Sequence, residues 1–220
     1  MPAWSDKMAF FPFFIDIADK KILIAGGGNV ALRKAQKLLQ YGADITVTAP
    51  EICAELERLD GVTLIRRGFT DSDADGAFAV IAATDDRALN SHIYELCTRR
   101  NILVNTVDDP ENCGFYFPAL VREGNVTIGI STGGTAPAFA KFVREKVEDE
   151  LDSFTLGIGE ILAGYRPRIK EMFVTEKQRA EAADAIIDLC LLDDVLPDDS
   201  DINDLLERIK TAHENKDRNA

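Results

Sequence analysis

The sequence predicts an α/β protein with a Rossmann-like parallel sheet domain, then a β-hairpin dimerisation segment and a C-terminal helical domain. Three observations support this fold class. Short apolar runs alternate with longer amphipathic segments in the first half of the chain, a glycine-rich turn follows the first apolar run, and the alternation stops after Pro110. Strands joined by helices pair in parallel, because each helical crossover returns the chain to the same end of the sheet.

The predicted sheet has five strands, of which the first is buried. They are the apolar runs at 21–25, 45–48, 62–65, 78–82 and 102–104. The amphipathic segments between them predict helices at 29–41, 52–59 and about 87–100. In the first helix, Val30, Leu38 and Leu39 share one stripe, and the cations lie largely outside it. These cations are Arg33, Lys34 and Lys37.

A different pattern follows Pro110. Two strand-like runs, 115–121 and 126–131, are separated by a short gap with a glycine, which predicts an antiparallel hairpin. A long helix is expected at 138–151, and 154–213 is expected to be mostly helical with interruptions at Pro167 and Pro197. Two strands alone are marginally stable, so we expect the hairpin to pair with a second chain in a homodimer. The predicted domains are 1–113, 114–150 and 151–220.

Composition excludes several classes of protein. The 220 residues include 25 Lys and Arg against 38 Asp and Glu, a net charge of −13, which disfavours nucleic-acid binding. No apolar run approaches the roughly 18 residues of a membrane span. The nearest run, 8–17, contains Pro12 and Asp16 and lacks the flanks of a signal peptide. We therefore expect no membrane association and a cytoplasmic protein.

The cysteines and histidines do not form a metal-binding pattern. The four cysteines form no CxxC pair, and there are only two histidines, so we expect reduced thiols and no zinc site. Metal ligation by side chains would depend on carboxylates. The cysteines are Cys53, Cys97, Cys113 and Cys190, and the histidines are His92 and His213.

The turn after the first strand fits the dinucleotide-binding pattern G-x-G-x-x-G/A, from Gly26 to Ala31. Gly26 makes the tight turn, Gly28 lets a pyrophosphate approach the backbone, and Ala31 lets the helix pack on the sheet. The free N–H groups of the helix N-terminus complete an anion site. The alternative is a glycine turn that serves packing alone.

The ends of the second and fourth strands refine the cofactor prediction. The acid that usually binds the ribose is missing from the second strand, but Glu51 follows directly after Pro50, and no arginine is placed to hold a 2′-phosphate. NAD is therefore favoured over NADP. Thr84 follows the fourth strand and is placed to reach the cofactor, whereas Asp85 and Asp86 are expected to cap the next helix.

Four segments in order are characteristic of one family: 26–34 (GGGNVALRK), 82–86 (AATDD), 105–108 (NTVD) and 131–137 (STGGTAP). Over about 10–173 the chain resembles the precorrin-2 dehydrogenase / sirohydrochlorin ferrochelatase module of siroheme synthases, in a stand-alone form. The resemblance implies NAD-dependent oxidation of precorrin-2 to sirohydrochlorin in siroheme biosynthesis. In some members it also implies insertion of ferrous iron to give siroheme.

The resemblance also implies roles for individual residues. It places the key catalytic group at Asp108, with Asn105 beside it as a substrate contact, and cofactor contacts in the glycine turn and after the second strand. These contacts are Gly28, Asn29, Val30, Pro50 and Glu51. Independently, Asp108 follows a parallel strand, where such sheets bind ligands, and a carboxylate can accept a proton. The alternative for Asp108 is ordinary turn chemistry before Pro110.

A second glycine loop, at 132–137, precedes the long helix. Its backbone donors could bind a carboxylate of the substrate, with added charge from the helix. The predicted substrate-binding residues here are Thr132, Gly133, Gly134, Lys141 and Arg144. The competing interpretation is a helix cap at a dimer interface with both cations solvated. The acidic pairs 193–194 and 198–199 are expected to be a solvated helical surface and linker.

Two other functions remain compatible with the sequence. One is a catalytically silent NAD-binding regulatory module, and the other is a tetrapyrrole carrier that oxidises nothing. Production of NADH from precorrin-2 separates the dehydrogenase from both.

Overall fold

The first part of the chain is a five-stranded parallel sheet, as the sequence predicts. The computed structural model describes residues 11–192 and 195–218. The strand order is β3-β2-β1-β4-β5, with every pair parallel. All five strands therefore end at one edge of the sheet. The strands are β1 (Lys21–Ala25), β2 (Asp44–Thr48), β3 (Val62–Ile65), β4 (Ala79–Ala82) and β5 (Leu103–Thr106).

Helices cover both faces of this sheet. They are α1 (Asn29–Leu39), α2 (Ala54–Glu57) and α3 (Arg87–Arg99), with 3₁₀ turns at Asp71–Ala74 and Pro110–Asn112. Alternate strand residues point to opposite faces. Ile24 therefore packs in the core that includes α1, and its neighbour Leu23 packs in the core that includes α3. This two-sided burial explains the continuous apolar runs of the strands.

The second helix is shorter than predicted. The sequence predicts a helix at 52–59, but α2 spans only Ala54–Glu57. The backbone N–H of Cys53 donates to the carbonyl of Gly27 at 2.8 Å, which holds the preceding residues in an extended conformation against the glycine turn. This tertiary contact delays the start of the helix.

A buried carboxylate joins the loop after β3 to the following 3₁₀ turn. Asp73 is 9% exposed, and its two oxygens accept hydrogen bonds from the Arg67 guanidinium at 2.6 and 2.7 Å. The Thr70 N–H also donates to Asp73. The Arg67 hydrogen bond lowers the pKa of Asp73 to about 2, with the Thr70 bonds adding to the effect and burial opposing it.

We predict that this carboxylate makes the first unit acid-sensitive. A depressed native pKa contributes stability that is present above the unfolded value near 4 and is lost as pH falls towards 2. Asp73→Asn should cost up to about 2 kcal/mol in the free energy of unfolding at pH 7. Urea titrations of both proteins should show this difference shrinking between pH 4 and pH 2. A difference that stays constant over that range would contradict the assignment.

The second part of the chain begins with an antiparallel hairpin. The chain divides into two compact units between Phe117 and Pro118. The described residues of the second unit form β6 (Ala119–Glu123), which pairs with β7 (Val126–Ile130), and then four helices. The predicted hairpin is present, although β6 starts four residues later than the predicted run. The helices are α4 (Pro137–Glu150), α5 (Ser153–Met172), α6 (Glu176–Leu192) and α7 (Asp199–Arg218).

Three helices of the second unit share one apolar core. Ile169 of α5, Ile186 of α6 and Leu206 of α7 are all buried in it. Pro167 does not interrupt this part of the chain as predicted, because α5 continues through it. Its side chain lies on the exposed side of the helix, where water can hydrate the carbonyl that loses its N–H partner. Pro197 lies between α6 and α7, as expected.

The acidic pairs of the C-terminal region divide between described and undescribed parts of the chain. Asp193 and Asp194 lie outside the described residues. Asp198 accepts hydrogen bonds from the backbone N–H groups of Ser200 and Asp201 at the start of α7. Asp199 accepts a hydrogen bond from the Tyr165 hydroxyl at 2.6 Å. In the part of the chain that is described, no helix is long and apolar enough to cross a membrane.

Candidate functional site

The glycine turn between β1 and α1 is held in place by the ends of two neighbouring strands. Gly26 has a φ of +128°, and a Cβ there would lie 2.1 Å from the carbonyl oxygen of Ala83, just past β4. A Cβ on Gly27 would lie 2.0 Å from the carbonyl oxygen of Glu51. Only glycine fits either position, so the turn keeps a fixed shape at the edge where the strands end.

Gly28 differs from its neighbours because it faces open space. It is the N-cap residue of α1, its side-chain position has no atom within 4 Å, and no side chain caps the helix. The first helical hydrogen bond runs from the N–H of Leu32 to the carbonyl of Gly28. The N–H groups of Asn29 and Val30 therefore have no helical partner and carry the positive end of the helix dipole. This open cradle fits a dinucleotide pyrophosphate, as the sequence predicts.

The residues predicted after β2 adjoin this cradle. Pro50 and Glu51 are exposed, and the Glu51 backbone lies against Gly27. Thr84 is more constrained than expected, because its hydroxyl donates to the Asn90 side chain at 2.7 Å and the Asn90 amide donates back to the Thr84 carbonyl. Contact between Thr84 and the cofactor stays a prediction.

The helix cap predicted after β4 is confirmed for Asp86. Its carboxylate accepts hydrogen bonds from the N–H groups of Ala88 and Leu89 in the first turn of α3. This accounts for Asp86 without a role in the chemistry.

Asp108 lies in the turn directly after β5, on the same sheet edge as the glycine turn. Its side chain is exposed and its φ is +58°, a conformation that aspartate tolerates better than most residues. The preceding residue, Val107, donates its N–H to the carbonyl of Ala82 at 2.9 Å, which anchors the turn to β4. Among the described residues, no side chain forms an ion pair with Asp108.

Hydrogen bonds of Cys113 and Asn105 hold the backbone of the turn that carries Asp108. The Cys113 sulfur accepts a hydrogen bond from the backbone N–H of Thr106 at 3.3 Å. The Cys113 thiol also donates a hydrogen bond to the carbonyl of Asp109 at 3.2 Å. Asn105 is 6% exposed, and its amide donates to the carbonyl of Phe115 at 3.0 Å. Asn105 is therefore buried beside the turn and helps to position it, and its contact with substrate stays a prediction.

A cavity of about 350 Å³ connects the cofactor helix with Asp108. It is lined by Val30, Arg33, Lys34, Lys37, Val107 and Asp108. The sequence places these three cations largely outside the apolar stripe of the helix, and its local pattern does not connect them with Asp108. The spacing of Val30, Lys34 and Lys37 does indicate that they share one helix face, because they follow the i, i+4, i+7 pattern.

Lys34 is the inner cation of this cavity. Its Nζ lies 3.6 Å from the centre of the Phe117 ring, which places the ammonium over the aromatic face. Burial lowers the pKa of Lys34 to about 8; the charges of Lys37 and Arg33 also lower it, whereas Asp108 is among the groups that raise it.

The predicted substrate-binding residues of the second glycine loop lie in the second unit. The Thr132 hydroxyl accepts the N–H of Ala136, and Gly133 and Gly134 have positive φ. The Lys141 ammonium lies 3.6 Å from Glu145, and Arg144 pairs with Glu148. The Thr132 hydroxyl and the two cations thus have partners within the chain, and anion binding there stays a prediction.

The described residues contain no group of three or more His, Cys, Asp or Glu side chains that could hold a metal ion. Ferrous iron would enter the chemistry as a substrate, and this geometry gives no preformed ligand set for it.

The fold and the cradle define a nicotinamide-dinucleotide-binding domain. A family model for NAD(P)-binding domains matches residues 13–119, and a second model, "Sirohaem biosynthesis protein central", matches residues 123–150. Together they cover the parallel sheet, the glycine turn and Asp108, and then most of the hairpin and α4. The cofactor is therefore a nicotinamide dinucleotide.

Similar proteins narrow the family. "Siroheme synthase" of Thioalkalivibrio sulfidiphilus is 42% identical over 166 residues, 74% of this chain and 34% of that protein. "Siroheme synthase" of Photorhabdus laumondii is 39% identical over 175 residues, 78% of this chain and 37% of that protein. The solved structure "SirC, precorrin-2 dehydrogenase" matches with a TM-score of 0.72 and 25% identity, over 92% of this chain and all of that one.

The chain belongs to the precorrin-2 dehydrogenase / sirohydrochlorin ferrochelatase family. It spans little more than a third of the length of the curated relatives named here.

Proposed function

We propose that the protein oxidises precorrin-2 to sirohydrochlorin with NAD as the oxidant, a step of siroheme biosynthesis. One observation carries this proposal. Val30, at the dinucleotide end of α1, and the carboxylate-bearing Asp108 line the same cavity. The names of the solved structure and of the curated relatives agree with this substrate and pathway.

Different residues of the site bind the cofactor and accept the proton. The N–H groups of Asn29 and Val30 hold the pyrophosphate at the open position beside Gly28. A bound nicotinamide supplies an acceptor for the hydride that leaves the substrate. The same oxidation releases one proton, and we assign its acceptance to a carboxylate oxygen of Asp108. The backbone of the turn that carries Asp108 is held in position, because Cys113 and Asn105 donate hydrogen bonds to backbone carbonyls beside it.

Within the same proposal, NAD is preferred over NADP. Glu51 follows β2 at the exposed position beside the glycine turn, where a carboxylate favours ribose hydroxyls and repels a 2′-phosphate. We also place the protein in the cytoplasm, since Cys53, Cys97, Cys113 and Cys190 are all free thiols.

The deciding experiment is anaerobic and uses precorrin-2 with NAD in one cuvette. Formation of NADH together with sirohydrochlorin supports the dehydrogenase. Ferrous iron is then added, and siroheme that forms faster than in a protein-free control shows a second, chelatase activity. Folded protein that binds NAD but produces no NADH is a regulatory module or, if it binds the tetrapyrrole, a carrier.

We predict that the protein is a homodimer joined through its second unit. In the described residues the β6–β7 sheet has only two strands, and α4 exposes Phe139 (58%) and Phe142 (52%), whose rings stack at 6.2 Å. Exposed aromatic pairs of this kind are typical of interfaces. Sedimentation equilibrium should give twice the chain mass for the wild type and a weaker dimer for Phe142→Ser. A monomeric wild type at micromolar concentration would contradict the proposal.

A further inference from the structure

The cavity beside Asp108 is lined by three cations, all of them on α1. Within residues 11–192 and 195–218, Arg33, Lys34 and Lys37 form no ion pair. Elsewhere in the same unit, Arg67 and Arg100 are paired with aspartates at 2.6 and 2.8 Å. Three neighbouring unpaired cations repel one another, so the cluster is poised to receive a ligand with several negative charges.

The pyrophosphate of the cofactor is not the ligand that this cluster fits best. It binds at the first turn of α1, whereas Lys34 lies five residues further along, about 7–8 Å up the helix axis, and Lys37 lies beyond it. The cluster therefore flanks the space between the cofactor cradle and Asp108. That space is where a substrate must lie to give up a hydride and a proton together.

Lys34 is held more firmly than a surface lysine. Its ammonium rests over the ring of Phe117, which packs against Phe115 with ring centres 5.3 Å apart. The Phe115 carbonyl in turn accepts a hydrogen bond from the side-chain amide of Asn105, a residue of the strand that leads into the Asp108 turn. This small network thus links the ammonium of Lys34 to the strand end that leads into the Asp108 turn. The ammonium and the Asp108 carboxylate line one cavity without forming an ion pair with each other.

We propose that Arg33, Lys34 and Lys37 bind peripheral carboxylates of the tetrapyrrole substrate, with Lys34 as the positioning residue that sets the macrocycle against Asp108. This inference rests on the proposed function, because precorrin-2 and sirohydrochlorin are polycarboxylates. Carboxylate binding by lysine and arginine is charge-assisted and worth more in a half-buried cavity than in water.

The proposal predicts a pH dependence that belongs to Lys34. Burial is the main reason that the pKa of Lys34 is lowered to about 8, and the charges of Lys37 and Arg33 on α1 lower it further. Cys113 and Asp108, in the segment after β5, oppose this shift. The ammonium is present below that pH and is lost above it. Sirohydrochlorin affinity should therefore fall as pH rises through 8.

Sirohydrochlorin binding tests the proposal directly, with titrations at pH 7 and pH 9. Lys34→Gln should weaken binding roughly tenfold at pH 7 and remove the pH dependence, because no ammonium remains to titrate. Lys34→Arg should bind well at both pH values, since guanidinium stays protonated. Lys20→Gln, an exposed lysine outside the cavity, is the matched control with the same change in charge. NAD affinity should be unchanged in every variant.

The outcomes separate this inference from the function on which it rests. A wild type that oxidises precorrin-2, together with a folded Lys34→Gln protein that binds sirohydrochlorin equally well, overturns the inference alone. Weakened NAD binding with intact sirohydrochlorin binding assigns the cations to the cofactor and also overturns it. A wild type that neither binds nor oxidises the tetrapyrrole overturns both proposals.

Discussion

Gly28→Asp should weaken NAD binding by at least about thirtyfold while leaving the fold intact. The aspartate side chain would occupy the open space that the pyrophosphate needs at the N-terminus of α1, and its charge would repel the phosphates. Loss of the anion site together with like-charge repulsion corresponds to about 2 kcal/mol or more in binding free energy. Isothermal titration of NAD into the folded variant measures this loss.

The same change should not harm the protein itself. Gly28 has an ordinary backbone conformation, with φ −89° and ψ −171°, and a Cβ there meets no atom within 4 Å. It is also the N-cap of α1, a position at which aspartate is favoured over glycine by a few tenths of a kcal/mol. Thermal unfolding of Gly28→Asp should therefore occur at the wild-type temperature or slightly above it.

Two control variants separate the causes. Gly28→Asn adds nearly the same volume without the charge and should fall between the wild type and Gly28→Asp in NAD affinity. Gly28→Ala adds only a methyl group and should be the mildest of the three. Wild-type NAD affinity in Gly28→Asp would show that the cradle does not hold the pyrophosphate.

The parallel sheet could be predicted because local and global signals agree there. The runs at 21–25 and 62–65 are largely apolar, and the structure places them as β1 and β3 with the same bounds. The glycine turn was predictable for a related reason, since Gly26 has the positive φ that its spacing implies. In both cases the pattern reports a local requirement of the backbone.

The features that sequence reasoning missed depend on contacts between distant segments. Lys34 resembles any charged residue near a helix stripe until Phe117, more than eighty positions later, comes to lie under its ammonium. The family resemblance implies a substrate contact for Asn105, which stays a prediction, but it does not reveal that the Asn105 amide donates to the carbonyl of Phe115. Neither partner is visible from local periodicity, so only the folded chain shows these two roles.

Asp108→Asn should reduce the rate of precorrin-2 oxidation at least a hundredfold with NAD binding unchanged. A positioned base contributes about 10²- to 10⁴-fold to a proton transfer, and the amide cannot accept the proton that the oxidation releases. Asparagine also tolerates the φ of +58° at this position, so the turn keeps its shape. Single-turnover formation of NADH, measured under saturating NAD, reports the loss.

The choice of control decides how this result is interpreted. Asp85 is an exposed acid that follows β4 at the same sheet edge, so Asp85→Asn makes the same change in charge near the site without removing the proposed base. That variant should keep wild-type turnover. Because the Asp108 turn is fastened by Cys113 and Asn105 independently of its own carboxylate, the lost rate in Asp108→Asn reflects chemistry and not displacement of the turn. Near-normal turnover in a folded Asp108→Asn protein would remove Asp108 from the mechanism and leave the cation cluster to position a substrate that loses its proton to water.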